Sequence, residues 1–468
     1  GGMTKNDELQ EIFDRDPELF EWTRRTFLKK TGLAVAGVAL ADLWAVACGG
    51  TTTNTATTGK PPVPRAGARI VYTQWNSFVK AGDDEVRRQA KEFSDKFNCE
   101  VVVQTITQDD LIAKTAAYVQ AGDGPDVISM QYSWPFLYTS ACLDVTNEVN
   151  ILRQKLGTIH PVNDAYCKVN GVYRAIPYTI VMNAWSYRTD YFTKAGVSGF
   201  PQTFEDFITA AGKLKSATGK PMSQTVGHAY GDSLTMWLPV LWAHGAAEND
   251  KNGKVTINSP ATMKAIDWAK RAQAAGAVFH PEWLDPDNNQ AYHSDNISAT
   301  LNGPSIYIKE RDTNKKFDKV TDNAVMPAGP NGLFTMNLIF NQAVMKWTKE
   351  PETAKAFVLY QMDKDNYLKW MAPGAAAGYD IGPFKEISDA PIFHSDPKLK
   401  AFHDVAYDVN GKPAGYWPGW PAPPSKKSSQ AQAQYITADM FAKVLAGTDA
   451  KAAVQEAEDR LKNIWEKP

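Results

Sequence analysis

The chain has few cysteines and histidines, and their spacing excludes the common metal sites. Four of its 468 residues are cysteine and seven are histidine. No two cysteines are spaced as in a zinc knuckle, and no two histidines are spaced as helical metal ligands. Once Cys48 is set aside, Cys99, Cys142 and Cys167 remain. Cys142 with Cys167 is the candidate disulfide, three buried free thiols are the alternative, and we expect no metal.

Motifs of the common enzyme classes are also missing. The sequence contains no phosphate-binding loop, dinucleotide-binding glycine fingerprint, HExxH pair or nucleophile elbow. Carboxylates are abundant, and Glu282 with Asp285 could form a glycosidase pair, but surface charge is the simpler interpretation of these two residues. We therefore expect a protein that is not an enzyme, with no catalytic residues and no cofactor.

No charge of one sign dominates, and long hydrophobic runs are rare. The net charge is −2 at pH 7, and basic and acidic residues are mixed along the chain, so nothing favours nucleic-acid binding. Beyond Cys48, the apolar residues 237–247 are broken by Pro239 and Gly245. Such a stretch indicates a buried helix or strand, and we expect no membrane span there.

The N-terminal segment does carry an apolar run, and its order is that of an export leader. Arg24 and Arg25 precede the apolar residues 32–47, and small residues precede Cys48. This order is typical of a twin-arginine lipoprotein leader. We therefore predict a leader over residues 1–47, lipidation at Cys48, and a functional part on the extracytoplasmic face of the membrane. An uncleaved anchor is the alternative.

The remaining chain begins with a tether and continues as an α/β pattern. Threonines and prolines dominate residues 51–66, so we predict a flexible tether over residues 48–67. Predicted strands at 68–73, 100–105 and 126–130 then alternate with predicted helices at 83–97 and 109–121, which favours a mostly parallel sheet. Further helices are predicted at 204–218, 233–243, 261–275, 351–362, 430–445 and 451–465.

Several segments resemble those of extracellular solute-binding proteins of the sugar-uptake ABC transporter type, the maltose-binding-protein-like family. The strongest resemblance lies in GVYRAIPY at 171–178, AWSYRTDYFTKAG at 184–196 and PQTFEDF at 201–207. Weaker matches follow the same order along the chain, at residues 122–127, 242–245, 257–260, 299–304, 326–330, 351–357 and 445–447. Their order and spacing, more than any single match, carry the resemblance.

The resemblance implies a type II periplasmic-binding-protein fold, in which two hinge-linked α/β lobes enclose a ligand cleft. Lobe 1 would comprise residues 68–177 and 301–345, and lobe 2 residues 182–296 and 350–468. The chain would cross between lobes at residues 178–182, after 301–304 and near 344–351. It also implies that the protein captures a mono- or oligosaccharide and delivers it to ABC permease subunits, and we expect a monomer.

A sugar offers an apolar face and a rim of hydroxyls, so its site needs flat aromatic rings and amide or carboxylate groups. Aromatic and amide residues stand where open α/β sheets bind ligands, at strand ends and in turns. Core packing is the alternative for each of them. The candidate ligand-binding residues are Trp75, Asn76, Tyr132, Trp134, Tyr178, Trp237, Asn302, Asn337, Tyr379, Trp417 and Trp420.

Two other functions fit the same pattern. The first is a receptor of the same fold for a non-sugar solute such as a glycerophosphate, which would need a basic cleft. No arginine cluster accompanies the loop aromatics, so this function ranks lower. The second is a structural subunit of a membrane complex that keeps its N-terminal segment as an anchor.

Overall fold

The computed structural model describes residues 59–371, 378–388, 392–407 and 416–466. The predicted leader, Cys48 and most of the predicted tether lie outside the described residues. Within the described ranges, no helix is both long enough and apolar enough to cross a bilayer.

Strands and helices alternate through the first part of the chain, as the sequence pattern predicts. In chain order the strands are β1 (Arg69–Trp75), β2 (Glu100–Ile106), β3 (Val127–Gln131), β4 (Lys168–Val169), β5 (Val172–Tyr173), β6 (Ile176–Val181), β7 (Ala184–Arg188), β8 (Ser223–Thr225), β9 (Val278–His280), β10 (Ala299–Asn302), β11 (Thr321–Ala324) and β12 (Leu338–Val344). The sequence predicted the first three of these strands to within two residues at each end.

Helices are present at all eight predicted positions, and the structure adds further helices that the sequence did not predict. They are α1 (Lys80–Phe97), α2 (Gln108–Ala121), α3 (Trp134–Leu137), α4 (Thr146–Leu156), α5 (Pro161–Cys167), α6 (Thr189–Lys194), α7 (Phe204–Thr218), α8 (Asp232–Ala243), α9 (Pro260–Ala275), α10 (Asp285–His293), α11 (Ser305–Lys309), α12 (Pro351–Gln361), α13 (Lys364–Met371), α14 (Lys385–Ser388), α15 (Ile392–Ser395), α16 (Lys400–Tyr407), α17 (Lys426–Ala433), α18 (Ile436–Leu445) and α19 (Ala450–Trp465). The helix predicted at 430–445 is two helices, because Tyr435 between them has a left-handed φ of 53°.

The first lobe is built on a five-stranded sheet of order β2-β1-β3-β12-β6. β1 pairs in parallel with β2 and β3, whereas β12 runs antiparallel to both β3 and β6. Tyr72 of β1 meets Phe357 of α12 edge to face, and Phe93 of α1 meets the same ring. These buried aromatic contacts hold α1 and α12 against the sheet.

The second lobe is built on β10-β7-β11 and the parallel pair β8-β9. A bridge between Met222 and Ala299 connects the two groups of strands. The core of the second lobe is aromatic. The centroid of the buried Trp268 indole lies 4.5 Å from the centroid of the Phe204 ring. The indole N–H of Trp268 also donates to the Phe204 carbonyl oxygen at 2.9 Å. α7 and α9 thereby pack together on this lobe.

The chain crosses between lobes where β6 of the first sheet leads into β7 of the second, through Met182 and Asn183. The predicted crossing at residues 178–182 ends at this step from one sheet to the other. The return crossing enters β12 at Leu338, and Asn337 ties the two crossings together. The Asn337 side-chain oxygen accepts the Asn183 backbone N–H at 3.2 Å, and its amide donates to the Val405 carbonyl oxygen at 2.9 Å.

The predicted lobe boundaries after residue 300 were wrong. β10 and β11 pair with the two edges of β7, so residues 299–324 belong to the second lobe and not the first. Helices α12 and α13 pack against α1, which assigns residues 351–371 to the first lobe. The candidate disulfide is also absent: Cys142 and Cys167 are buried thiols, and the Cys167 thiol donates to the Asn341 side-chain oxygen at 3.0 Å.

Candidate functional site

A cleft with about 360 Å³ of empty space, part of it open to solvent, lies where β1 and β3 approach their carboxyl ends. Its wall combines residues of β1, β3, β6 and β12 with residues of α1, α13 and the segment around residue 380. The lining residues are Gln74, Trp75, Ser77, Gly82, Asp83, Ser129, Tyr178, Thr179, Phe340, Trp370, Tyr379 and Asp380. Strand ends, a helix start and a turn thus meet at one point, as in other open α/β sheets.

Aromatic rings form the apolar part of the wall. The indole of Trp75 stacks on Phe340 with 5.1 Å between centroids and an interplanar angle of 6°. The ring of Tyr379 lies 6.4 Å from the same indole, and Tyr178 lies 5.1 Å from Trp370. Because each ring is fixed by a neighbour, the wall is rigid before any solute arrives, which reduces the entropy cost of binding.

Two carboxylates form the polar part of the wall. Asp83 is buried in the first turn of α1 and accepts the Gln74 amide at 3.0 Å and the Ser77 backbone N–H at 3.1 Å. Asp380 accepts the Thr179 hydroxyl at 3.1 Å. Burial raises the pKa of Asp83 to about 6, and burial together with the charge of Asp83 raises the pKa of Asp380 to about 7.

The two lobes touch through aromatic side chains. The indole N–H of Trp134, at the start of α3, donates to the Tyr230 hydroxyl of the second lobe at 2.7 Å. The Tyr132 ring meets Tyr230 edge to face at 5.6 Å. A Cβ placed on Gly231 would lie 3.6 Å from the Gln108 amide of the first lobe. The described arrangement therefore includes direct contacts between side chains of the two lobes.

Tyr132 occupies a strained backbone position at this contact. Its φ is 46°, in the left-handed region that side chains rarely adopt. The position is held on both sides, because the Tyr132 N–H donates to the Ile339 carbonyl oxygen at 2.9 Å and the Asn341 amide donates to the Tyr132 carbonyl oxygen at 3.1 Å. Strain of this kind is maintained only where surrounding contacts enforce it, and it aims the Tyr132 ring at the second lobe.

Several buried polar atoms near this contact have no hydrogen-bond partner among the described residues. They are Gln108 Nε2, both side-chain polar atoms of Gln131, the Tyr132 and Tyr166 hydroxyls, and Ser233 Oγ. An unsatisfied buried polar group costs about 1–3 kcal/mol. A solute with several hydroxyl groups would offer such atoms both donors and acceptors.

The second lobe brings its own carboxylates toward the cleft. Asp232 is buried at the start of α8 and accepts the Asn288 amide, and Asp285 accepts the backbone N–H of Asp232 at 3.0 Å. Burial raises the pKa of Tyr379 well above its usual value, and the charges of Asp380, Asp232, Asp83 and Asp285 raise it further. Tyr379 therefore lies among carboxylates of both lobes.

The glycosidase pair weighed from the sequence does not fit the structure. The exposed Glu282 pairs with His280 at 2.9 Å, while Asp285 caps the start of α8. Each carboxylate has a structural partner of its own.

The structure brings five of the predicted ligand-binding residues together. Trp75, Tyr178 and Tyr379 line the cleft, and Tyr132 and Trp134 form the contact between lobes beside it. These five residues follow strand ends or stand at a crossing or in a turn. They remain predictions as ligand contacts, since their placement alone does not show what they bind.

The other six predicted residues lie elsewhere. Asn76 is exposed beyond the end of β1. Trp237 is fully buried, and its indole N–H donates to the Thr225 carbonyl oxygen at 2.8 Å. Asn337 connects the two chain segments that cross between the lobes, because its side-chain oxygen accepts the Asn183 backbone N–H. Asn302 donates to Asn289 in the second lobe and accepts the Gly303 N–H. The remaining two pack in the second lobe: Trp417 donates to Ala422, and Trp420 packs against Trp242, Phe334 and Tyr416.

Sequence reasoning missed much of the cleft wall. Gln74, Asp83, Thr179, Phe340, Trp370 and Asp380 were not predicted. The sequence did contain a signal for Asp83. This acidic residue is in the first turn of a helix that follows a strand, and such a turn lies at the ligand-binding edge of the sheet. Phe340 and Trp370 carried no local signal, since they lie within a strand and a helix.

Comparisons with known proteins agree with this architecture. A family model described as bacterial extracellular solute-binding protein matches residues 88–401. A probable ABC transporter-binding protein of Deinococcus radiodurans is 24% identical over 355 residues, which cover 72% of this chain and 81% of that protein.

Solved structures show the same fold. Maltose-bound MalE3 of T. maritima matches with a TM-score of 0.72 at 18% identity, covering 85% of this chain and 100% of that chain. UgpB of Mycobacterium tuberculosis, in complex with glycerophosphocholine, matches with a TM-score of 0.68 at 16% identity, covering 85% and 98%. The predicted two-lobed periplasmic-binding-protein fold is thereby confirmed.

Proposed function

Because the chain belongs to the family of bacterial extracellular solute-binding proteins, we propose that it captures a small carbohydrate in the cleft that residues of the first lobe line. As a member of this family it is a receptor that acts outside the cytoplasm and not an enzyme. Its partner in this function is the permease of an ABC transporter, to which the closed, loaded receptor delivers its solute.

The observation that carries the carbohydrate proposal is the composition of the cleft wall. The rings of Trp75, Tyr178 and Tyr379 stand beside the carboxylates of Asp83 and Asp380. Flat rings match the C–H face of a sugar, and carboxylates accept its hydroxyl groups.

A glycerophosphate receptor is disfavoured by the same wall. Phosphate recognition needs arginine, lysine or clustered backbone N–H groups. None of the residues that line the described cleft is basic, and two are acidic. UgpB, whose structure holds glycerophosphocholine, therefore shares the fold with this chain, while the charge of this cleft argues for a different solute.

Anchoring is the second part of the proposal. The order of Arg24, Arg25, the apolar residues 32–47 and Cys48 supports export and lipidation. A receptor tethered through residues 51–66 stays near its permease at high effective concentration. Intact mass of the native protein tests this: a chain that begins at diacylated Cys48 supports the anchor, whereas a retained N-terminal segment contradicts it.

The solute proposal is tested by titrating the mature chain with mono- and disaccharides while following tryptophan fluorescence and melting temperature. We expect saturable binding and a rise in melting temperature with at least one sugar. If no sugar does this while a phosphorylated or peptidic solute does, the carbohydrate proposal fails. If no solute binds at all, the structural-subunit alternative gains support.

A pair of variants locates the binding site. Trp75→Ala removes an aromatic ring of the cleft wall, so we expect the solute to bind more weakly. Trp347→Ala is the matched control, because this half-buried indole donates to the Pro125 carbonyl oxygen at 2.8 Å away from the cleft lining. Equal losses of affinity in both variants would contradict the placement of the site.

A further inference from the structure

The charge of the cleft is unbalanced. Asp83 and Asp380 line it, and no lysine, arginine or histidine does so within the described part of the chain. Neither carboxylate forms an ion pair within the described residues. Arg87, the nearest cation that acts on Asp83, is itself half exposed and contacts Asp84 at 3.5 Å.

The hydrogen bonds that these carboxylates receive are few. Within the described ranges, Asp83 accepts from one amide and one backbone N–H, and Asp380 accepts from one hydroxyl. A carboxylate can accept about four hydrogen bonds. Asp380 is only partly buried, so its remaining acceptor capacity faces the cleft, where a solute would displace water.

A neutral solute would leave this imbalance in place. Two like charges without a counter-charge are costly in a partly enclosed cleft, where the local dielectric is lower than in water. Uptake of a proton by one carboxylate would relieve the cost. A positively charged group on the solute would relieve it as well, and would add charge-assisted hydrogen bonds to both aspartates.

The aromatic rings beside the carboxylates favour a cation too. Tyr178, Trp370 and Tyr379 share the wall with Asp380, and Trp75 is next to Tyr379. The face of an aromatic ring attracts a cation by about 0.5–2 kcal/mol, more when the pair is desolvated. Rings and carboxylates together form a pocket for an ammonium group on an otherwise sugar-like solute.

We propose that the solute is a small sugar that carries a protonated amino group, and that this group binds between Asp83 and Asp380 in the aromatic cleft. The inference rests on the proposed function, because it assigns a class to the carbohydrate that the cleft takes. The other interpretation is that the two carboxylates only accept hydroxyl groups of a neutral sugar.

Matched pairs of sugars separate these interpretations. Glucosamine, galactosamine and mannosamine are titrated against glucose, galactose and mannose at pH 7 by calorimetry, so that each pair differs by one amino group in place of a hydroxyl. We expect at least one amino sugar to bind tenfold or more tightly than its parent. If every parent sugar binds as well as its amino partner, the inference is overturned while the proposed function stands. If no sugar in the panel binds, the inference is overturned, while the proposed function is decided by the wider titration with mono- and disaccharides.

Variants test the location of the amino group. Asp380→Asn and Asp83→Asn keep the shape of each side chain and remove its charge. Each should reduce the preference for the amino sugar over its parent at least fivefold, while Asp84→Asn, a change of an exposed neighbour of Asp83, should leave it unchanged. A preference that survives both cleft variants would overturn the inference, and measuring two variants guards against one that fails to fold.

Discussion

Asp380→Asn should stabilise the solute-free protein at neutral and alkaline pH. The folded protein raises the pKa of Asp380 from 3.8 to about 7, chiefly through burial and then through the charge of Asp83. A carboxyl group whose pKa is higher in the folded than in the unfolded state stabilises the fold below the unfolded pKa. That contribution is lost as the pH rises through the folded pKa. Asparagine keeps the acceptor for the Thr179 hydroxyl without the charge.

The size of the effect follows from the two pKa values. A pKa difference of one corresponds to about 1.4 kcal/mol, so a rise from 3.8 to about 7 corresponds to about 4 kcal/mol at most at pH 8. Solvent reaches part of the Asp380 side chain, which reduces the effect, and we expect a gain of about 2–4 kcal/mol. At pH 5 the wild-type carboxyl is largely protonated in the folded state, so the gain should fall to about half.

Urea unfolding followed by tryptophan fluorescence at pH 5 and pH 8 measures this effect. Wild type and Asp380→Asn are compared with Asp84→Asn, a surface change for which we expect less than about 1 kcal/mol at both pH values. A variant that is less stable than wild type at pH 8, or equally stabilised at pH 5 and pH 8, would refute the reasoning. The carboxylate would then be compensated in a way that the cleft geometry does not show.

Three further changes separate binding from folding. Trp237→Ala should reduce the free energy of unfolding by about 3–5 kcal/mol, yet leave the solute affinity of the folded fraction unchanged in a titration. Tyr230→Phe removes the acceptor of the Trp134 N–H between lobes and should weaken solute binding up to about tenfold, with little change in melting temperature of the solute-free protein. Asn337→Ala leaves the Asn183 N–H without its acceptor and should destabilise the protein by about 1–3 kcal/mol in urea unfolding.

The sequence predicted local elements well, because they are determined by local patterns. The order of strand and helix patterns along the chain placed β1, β2, β3, α1 and α2 close to their observed bounds. Strand pairing was not predicted. β10 and β11 pair with β7 across more than 100 residues, and no local pattern specifies which of two sheets a short strand joins.

The site was predicted in part for the same reason. Trp75 is the last residue of β1 and Tyr132 directly follows β3, and such positions meet at the binding edge of a parallel sheet. Trp237 lies in α8, every residue of which is buried, so its size indicated a core position more than a binding surface. Asp380 reaches the cleft because Ile381 pairs with Ile180 of β6. That pairing across 201 residues is visible only in three dimensions.

Charge also links solute binding to lobe closure. Asp83 and Asp380 belong to the first lobe and Asp232 and Asp285 to the second, and all four charges act on Tyr379. Closure without a solute brings these like charges together in a drier cleft, which opposes the closed state. A cationic solute reverses the sign of that contribution, because it attracts carboxylates of both lobes. A ligand shifts a conformational equilibrium only through its different affinities for the two states. An amino group bound here would therefore make closure of the lobes depend on the presence of solute. A permease needs this dependence in order to distinguish a full receptor from an empty one.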